Sequence, residues 1–309
     1  MENDNIIKAA QYWDKNVHIR DKASTQMINW LNSPLVGKYC LNKLKVGDKI
    51  MSVFQWLPWV KEKYIPEVLD YGLSFGCGDG TLERQGLSMN ICKEFDAFDI
   101  SKRSISIAVE EAKKKGVSNR LHYQAADINH IKLETDKYNI VFFNSAMHHF
   151  HNLEHVIKET QKSLGKNGLL VANEFIGPSQ FQWTEKQLQI MNELLQLLPL
   201  RLRYEVTTGR TKLTIDKPTV EHMNTNDPSE AIRSAEIITF LENSFEIIER
   251  VDFGGTILHY LLHGIIDNFD ASREDDIDIL KMLGYIEDIL IRESVLSSDF
   301  TIIVARNKK

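Results

Sequence analysis

The stretch Val68-Leu69-Asp70-Tyr71-Gly72-Leu73-Ser74-Phe75-Gly76-Cys77-Gly78-Asp79-Gly80-Thr81 decides the fold of this chain. Pro66 breaks a helical pattern, and Val68 to Phe75 reads as a strand running into a glycine-rich turn. Three glycines at alternate positions after a strand let the backbone turn tightly and approach a ligand without Cβ clashes. The next segment, Thr81 to about Ser88, reads as a helix whose free N–H groups form a positive end. A dinucleotide fingerprint needs its third glycine one step later, as G-x-G-x-x-G. Thr81 holds that position here, so the loop suits a nucleoside joined to an amino acid better than a pyrophosphate.

Downstream, strands and helices alternate. Glu94 to Ile100, Leu121 to Ala125, Tyr138 to Asn144 and Gly168 to Phe175 read as strands. Ser104 to Lys115 is an amphipathic helix with Gly116 placed to end it, and Leu153 to Leu164 is a second helix. This alternation predicts an α/β fold with a doubly wound, mostly parallel Rossmann-like sheet. Its ligand crevice lies at the C-terminal ends of the strands. Phe245 to Val251 and Phe300 to Ala305 read as late strands around a helical insertion. Four segments follow: a helical N-terminal cap or lid over 1–66, a ligand-binding core over 67–177, a substrate-side insertion over 178–240, and C-terminal core strands with a helical insertion over 241–309. The cap carries Trp13, Ile19, Met27, Trp30 and Leu31 among polar residues, and with Tyr12 and Trp13 it is a candidate lid. Asp227-Pro228-Ser229-Glu230 reads as a helix start with a capping box, which gives Asp227 and Glu230 structural duties.

Four features at successive strand ends converge on one crevice. The glycine loop is the first. Asp99, ending the second strand, can accept hydrogen bonds from both hydroxyls of a ribose; capping the next helix is its structural alternative, a duty Ser101 fills equally well. Asp127 follows the third strand, where an adenine amino group would lie. Asn144-Ser145-Ala146 sits at the tip of the fourth.

With these blocks in place, the chain resembles class I S-adenosylmethionine (SAM)-dependent methyltransferases from about Val68 to Phe175. Ser74 to Gly80 is similar to the family's glycine motif, Phe98-Asp99-Ile100-Ser101 to its ribose-binding motif, and Ala126-Asp127-Ile128 to its adenine-contacting one. Tyr138-Asn139-Ile140-Val141, Ala146-Met147-His148-His149 and Leu164-Gly165-Lys166-Asn167-Gly168 resemble later blocks of the small-molecule branch. The resemblance implies a seven-stranded sheet with an antiparallel last strand at 300–305. It implies SAM as cofactor, held by Gly76, Cys77, Gly78, Gly80, Asp99, Ile100, Ala126, Asp127, Ile128, Asn144, Ser145 and Ala146. One departure matters: the family usually has Asp or Glu two residues before the first glycine, a carboxylate that helps hold the loop and the methionyl amino group. This chain has Ser74.

On the acceptor side, His148, His149 and His151 follow the fourth strand and Glu174 ends the fifth. His148, His149 and Glu174 are the candidate catalytic residues, a histidine being the natural general base near neutral pH. Their spacing is not a recognised ligand pattern, so no metal is expected. Phe175, Phe181 and Trp183 are candidates to wall an acceptor pocket. Arg201, Arg203, Arg210 and Arg233 are candidates to receive an anionic acceptor. The expected reaction is methyl transfer to O or N of a small molecule, sugar or natural-product intermediate. A nicotinamide-dependent oxidoreductase and a catalytically degenerate SAM-fold binding protein are the competing classes; the glycine register counts against the first, and Ser74 supports the second.

Composition narrows the partners. The 309 residues are 43% hydrophobic and 26% charged, with a formal net charge of −6, which disfavours a phosphate-backbone footprint. No Asn-Pro-Pro-Tyr-type motif follows the fourth strand, so nucleic acid is not the expected acceptor. Cys40, Cys77 and Cys92 are too few and scattered for a disulfide framework and are expected to be reduced, unligated thiols. A polar N-terminus and the lack of a long apolar run point to a cytoplasmic protein outside the membrane, with homodimerisation left open.

Overall fold

The computed structural model describes residues 2–21, 30–40, 42–205 and 207–308. Seven strands, β1 (Leu69–Phe75), β2 (Cys92–Asp99), β3 (Leu121–Ala125), β4 (Tyr138–Asn144), β5 (Leu164–Phe175), β6 (Phe245–Gly254) and β7 (Phe300–Asn307), form one sheet. Their order is β6-β7-β5-β4-β1-β2-β3. β1 to β5 pair in parallel, whereas β7 runs antiparallel to both β5 and β6. Strand order reverses between β1 and β4, the switch point at which a crevice opens in such sheets.

The helices are α1 (Glu2–Asp21), α2 (Pro34–Tyr39), α3 (Trp56–Tyr64), α4 (Thr81–Ser88), α5 (Lys102–Lys114), α6 (Leu153–Ser163), α7 (Glu185–Leu197), α8 (Val220–Asn226), α9 (Ile237–Ser244), α10 (Leu258–Leu261) and α11 (Glu274–Arg292). They cover both faces of the sheet, and the two-residue period of the strands divides the core accordingly. Val141 and Phe143, Leu170 and Ala172, and Ile303 and Ala305 pack with α6 and α9. Their neighbours Ile140 and Phe142, Leu169 and Val171, and Ile302 and Val304 pack with α3 and α11. Burial on both sides is why these strands read as nearly unbroken apolar runs.

Local signals set the boundaries near the crevice. Ser101 caps α5, its Oγ accepting from Ser104 N at 3.0 Å, so Asp99 is not spent on that duty. Gly116, with φ +69°, ends the same helix. α1 is fastened to α5 by Asp14, whose Oδ1 accepts from Ser101 Oγ at 2.6 Å and Arg103 N at 3.1 Å. A carboxylate there also meets the positive end of α5. Cys40, Cys77 and Cys92 are free and buried. Among the described residues, no helix is long and apolar enough to cross a membrane.

Two expectations are corrected. The stretch 1–66 is not wholly helical: Leu44–Val46 and Lys49–Met51 form an antiparallel hairpin. Gly47, with φ +59°, permits its tight turn. Residues 228–233 form turns rather than a helix. Asp227 ends α8 and accepts from Ser229 N at 3.0 Å and Ser229 Oγ at 2.6 Å, while Ile232 N donates to His148 O at 3.0 Å. That tertiary tie outcompetes the local capping pattern. Met27 and the side chain of Ile19 lie outside the described residues.

Candidate active site

At the C-terminal ends of β1, β2 and β4 lies a cavity of about 880 Å³, a size suited to small-molecule ligands. Gly76, Gly78 and Gly80 all have positive φ, at +64°, +55° and +76°. A Cβ on Gly76 would stand 2.5 Å from the Ala146 Cβ, whereas one on Gly78 would meet nothing within 4 Å. The first glycine therefore seats the loop against the tip of β4, and the second leaves open space for a ligand. Gly80 lies outside the cavity wall; its missing side chain makes room for Tyr123, whose hydroxyl donates to Gly80 O at 3.2 Å. α1 covers the cavity with Asn5, Ile6, Ala9 and Trp13.

Asp99 lines the cavity and is held from behind. Its Oδ2 accepts from Gly78 N and its Oδ1 from Ser101 N, both at 2.8 Å. A carboxylate oxygen has two acceptor sites, so the geometry suits a further pair of hydroxyl donors. Cys77, Ile100, Asp127, Ile128, Asn144, Ser145 and Ala146 also line the cavity. Ala126 does not; its N–H donates to Asp99 O at 2.9 Å and joins the ends of β2 and β3. Ser145 takes φ +51° and donates to Asn173 O at 2.8 Å, a strained turn of the kind found where a strand tip meets a ligand.

The electrostatics of the wall are one-sided. Asp79, Asp99 and Asp127 line it, and among the described residues no lysine or arginine does. Such a cavity suits a cation, which the sulfonium and ammonium of SAM provide. The arginines expected to greet an anion are engaged elsewhere. Arg201 pairs with the buried Asp276, Arg203 donates to Leu198 O, and Arg233 binds Glu154 and Glu236. Arg210 lies on an exposed two-residue strand. Arg201, Arg203 and Arg233 brace the fold and none of the four arginines lines the cavity, which corrects the expectation that they receive the acceptor.

One acidic residue escaped the sequence reading. Glu83, on α4, is 0% exposed, and neither carboxylate oxygen has a well-aligned hydrogen-bond partner. It lies beside Ser74, which lines the cavity. Burial pushes its pKa up to about 7, with the Ser74 side chain acting the other way. The signal available in the sequence was the pairing of a missing acid at Ser74 with a glutamate just past the loop.

On the acceptor side, His148 and Glu174 come together. Glu174 Oε1 accepts from Ala146 N and Met147 N, and its Oε2 meets His148 Nδ1, all at 2.7 Å. Glu174 is thus enclosed and orients His148, instead of facing the acceptor as expected. His148 Nε2 lies 3.6 Å from Glu230 Oε1. Burial opposes its charged form, but the hydrogen bond and charge of Glu174, helped by Glu230 and Asp227, hold its pKa above the usual histidine value. His149 stacks 4.2 Å from it, touches Ser229 Oγ at 3.2 Å and, like His151, lines the cavity. Glu230, read as a capping residue, joins this cluster because the 228–233 turns fold over His148.

The expected aromatic wall is core. Phe175, Phe181 and Trp183 pack around Phe300 and around His259, whose Nδ1 is buried, and do not line the cavity.

A model of the methyltransferase domain family matches residues 67–227, more than half of the chain and the whole run from β1 to the end of α8. The chain belongs to the class I SAM-dependent methyltransferases. That assignment removes the nicotinamide oxidoreductase reading. The methyltransferase is similar in fold to geranyl diphosphate methyltransferase in complex with GPP and sinefungin, at 12% identity and TM-score 0.53, covering 97% of this chain and 98% of that one. It is also similar to geranyl diphosphate C-methyltransferase from Streptomyces coelicolor A3(2), at 10% identity and TM-score 0.52, covering 98% of each. The [4+2]-cyclase SpnF shares the fold at 12% identity and TM-score 0.50, covering 89% of this chain and 92% of that one. At such identities the likeness concerns architecture alone. A curated relative, an uncharacterised protein of Synechococcus sp., is 28% identical over 108 residues, 34% of this chain; the match spans about a quarter (24%) of the relative's length.

Proposed function

We propose that this methyltransferase transfers the methyl group of SAM to an oxygen or nitrogen of a small, uncharged acceptor enclosed beneath α1. The observation that carries this reading is the wall itself: carboxylates, apolar side chains and imidazoles, with no lysine or arginine among its described residues. SAM, when bound, supplies an electrophilic methyl group on a sulfonium. The glycine loop and Asp99 hold its nucleoside, and α1 excludes water. His149 accepts the proton that the acceptor O–H or N–H gives up as it gains the methyl group. His148, fixed by Glu174 and Glu230, positions the His149 ring from behind.

The test is a screen of metabolite extracts with isotopically labelled SAM, read by mass for a gain of one CH₂. The expected products are methylated alcohols, phenols or amines; labelling confined to phosphates and carboxylates would refute the uncharged acceptor. With a product in hand, His149→Ala should lower kcat about a hundredfold or more without moving the Kd for SAM. An unchanged kcat removes the proton-acceptor role.

One observation favours a second reading. Ligand atoms of His148, His149 and Glu230 all lie within 4.8 Å of one another, and Glu174 on His148 Nδ1 is the outer-shell partner typical of metal-bound histidine. On this reading the three residues hold a divalent cation that orients the acceptor. Metal content of the protein purified without an affinity tag, and its loss in Glu230→Gln, separate the two readings.

A further inference from the structure

We infer that Glu83 supplies, from the first turn of α4, the carboxylate that the glycine loop lacks at Ser74, and that it selects the amino-acid end of the methyl donor. This rests on SAM being the donor.

A carboxylate buried among apolar groups is unfavourable in its charged form unless hydrogen bonds or a cation compensate it. Glu83 has no well-aligned hydrogen-bond partner and is fully enclosed. The groups that feel its charge or act on it are Ser74 on β1, its own backbone N–H, Cys77 and Asp79 in the loop, Arg84 on α4 and Tyr123 on β3. Arg84 is engaged by Asp79 O and Thr81 Oγ1. Ser74 and Cys77 line the cavity, so the carboxylate stands one side chain behind the wall. The other carboxylates on that wall have duties or surroundings of their own: Asp127 accepts from Asn129 N at 3.0 Å and Asn129 Nδ2 at 2.9 Å. Asp99 accepts from Gly78 N and Ser101 N, and its remaining acceptor sites serve the ribose hydroxyls. Asp79 is exposed, where water screens its charge. A cation in the cavity opposite Ser74 would relieve the burial of Glu83 and be held by its poorly screened field. The ammonium of a methionyl group is such a cation, and a small Ser74 leaves the path between them short. Glu83 is therefore a positioning residue, acting through the loop wall.

The experiment measures binding by titration calorimetry of SAM and of methylthioadenosine, which shares the nucleoside but lacks the amino-acid end. Wild type, Glu83→Gln and the double variant Ser74→Asp/Glu83→Ala are compared at mildly alkaline pH. Glu83→Gln should weaken SAM about ten- to a hundredfold, the worth of a charge-assisted contact, and leave methylthioadenosine within about twofold. The double variant, which returns the carboxylate to the strand, should recover most of the SAM affinity. Equal SAM affinity in wild type and Glu83→Gln overturns the inference. An equal loss for both ligands also overturns it, because Glu83 would then serve only to shape the loop. If wild type binds neither ligand, the donor assignment fails first and the inference with it. Should the double variant not fold, Glu83→Gln decides alone.

Discussion

Glu83 should make the ligand-free protein less stable than it need be, and the effect can be measured without any acceptor. Its pKa rises from the ordinary 4.5 to about 7, chiefly through burial. Between those values the native state keeps a proton that the unfolded chain has released. Stability therefore falls as pH rises through that window and stays lower above it. Each pKa unit corresponds to about 1.4 kcal/mol, so the loss is about 3 kcal/mol. Glu83→Gln cannot ionise and escapes this loss. Urea unfolding of the ligand-free proteins should give similar stabilities near the ordinary carboxylate pKa and a variant more stable by about 3 kcal/mol above about pH 8. Asp79, Arg84, Cys77 and Tyr123 surround the site in both proteins, so their titrations largely cancel in the difference. Difference curves that stay flat across the whole range would refute the reasoning, since the carboxylate would then not be desolvated. A variant that is more stable yet binds its donor less well is the trade expected where an active site stores unfavourable burial.

Two further outcomes follow from the same structure. Gly76→Ala places a Cβ 2.5 Å from that of Ala146 at a φ of +64°, so it should abolish measurable SAM binding and cost at least about 1–2 kcal/mol; calorimetry showing wild-type affinity would contradict the seating of the loop on β4. His259, buried among aromatic rings, has its pKa pulled down to about 3, mainly by burial. The unfolded chain takes up a proton that the native one refuses, so stability should fall as pH drops from about 6.5 toward 3. His259→Phe should flatten that part of the profile, and an unaltered acid limb would show that His259 is solvated.

The parallel sheet and its crevice were legible because they rest on local signals. The strands from Val68 to Phe175 announce themselves by apolar runs, and Gly116 and Ser101 mark the helix ends by backbone chemistry that neighbours cannot change. Gly76, Asp99 and Asp127 were legible for a related reason. In a doubly wound sheet every strand ends at the same edge, so residues distant in sequence meet at a place that the alternation alone predicts. The hairpin at Leu44–Met51 was missed because three-residue strands are too short to show a period.

What the tertiary structure decided is which charged groups meet. The chain spells Asp227-Pro228-Ser229-Glu230 as a helix start, yet the hydrogen bond from Ile232 to His148 turns Glu230 into the neighbour of an imidazole. Four arginines read as an anion site, yet the folded chain sets Arg201 on Asp276 and Arg233 on Glu154, and backbone carbonyls claim Arg203. Ser74 reads as a gap, yet a turn of helix brings Glu83 to fill the space behind it. Periodicity and glycine placement are properties of adjacent residues, so the linear sequence determines them. Charge pairing and desolvation depend on distance in space and on the exclusion of water, and both come into being only when the chain has folded.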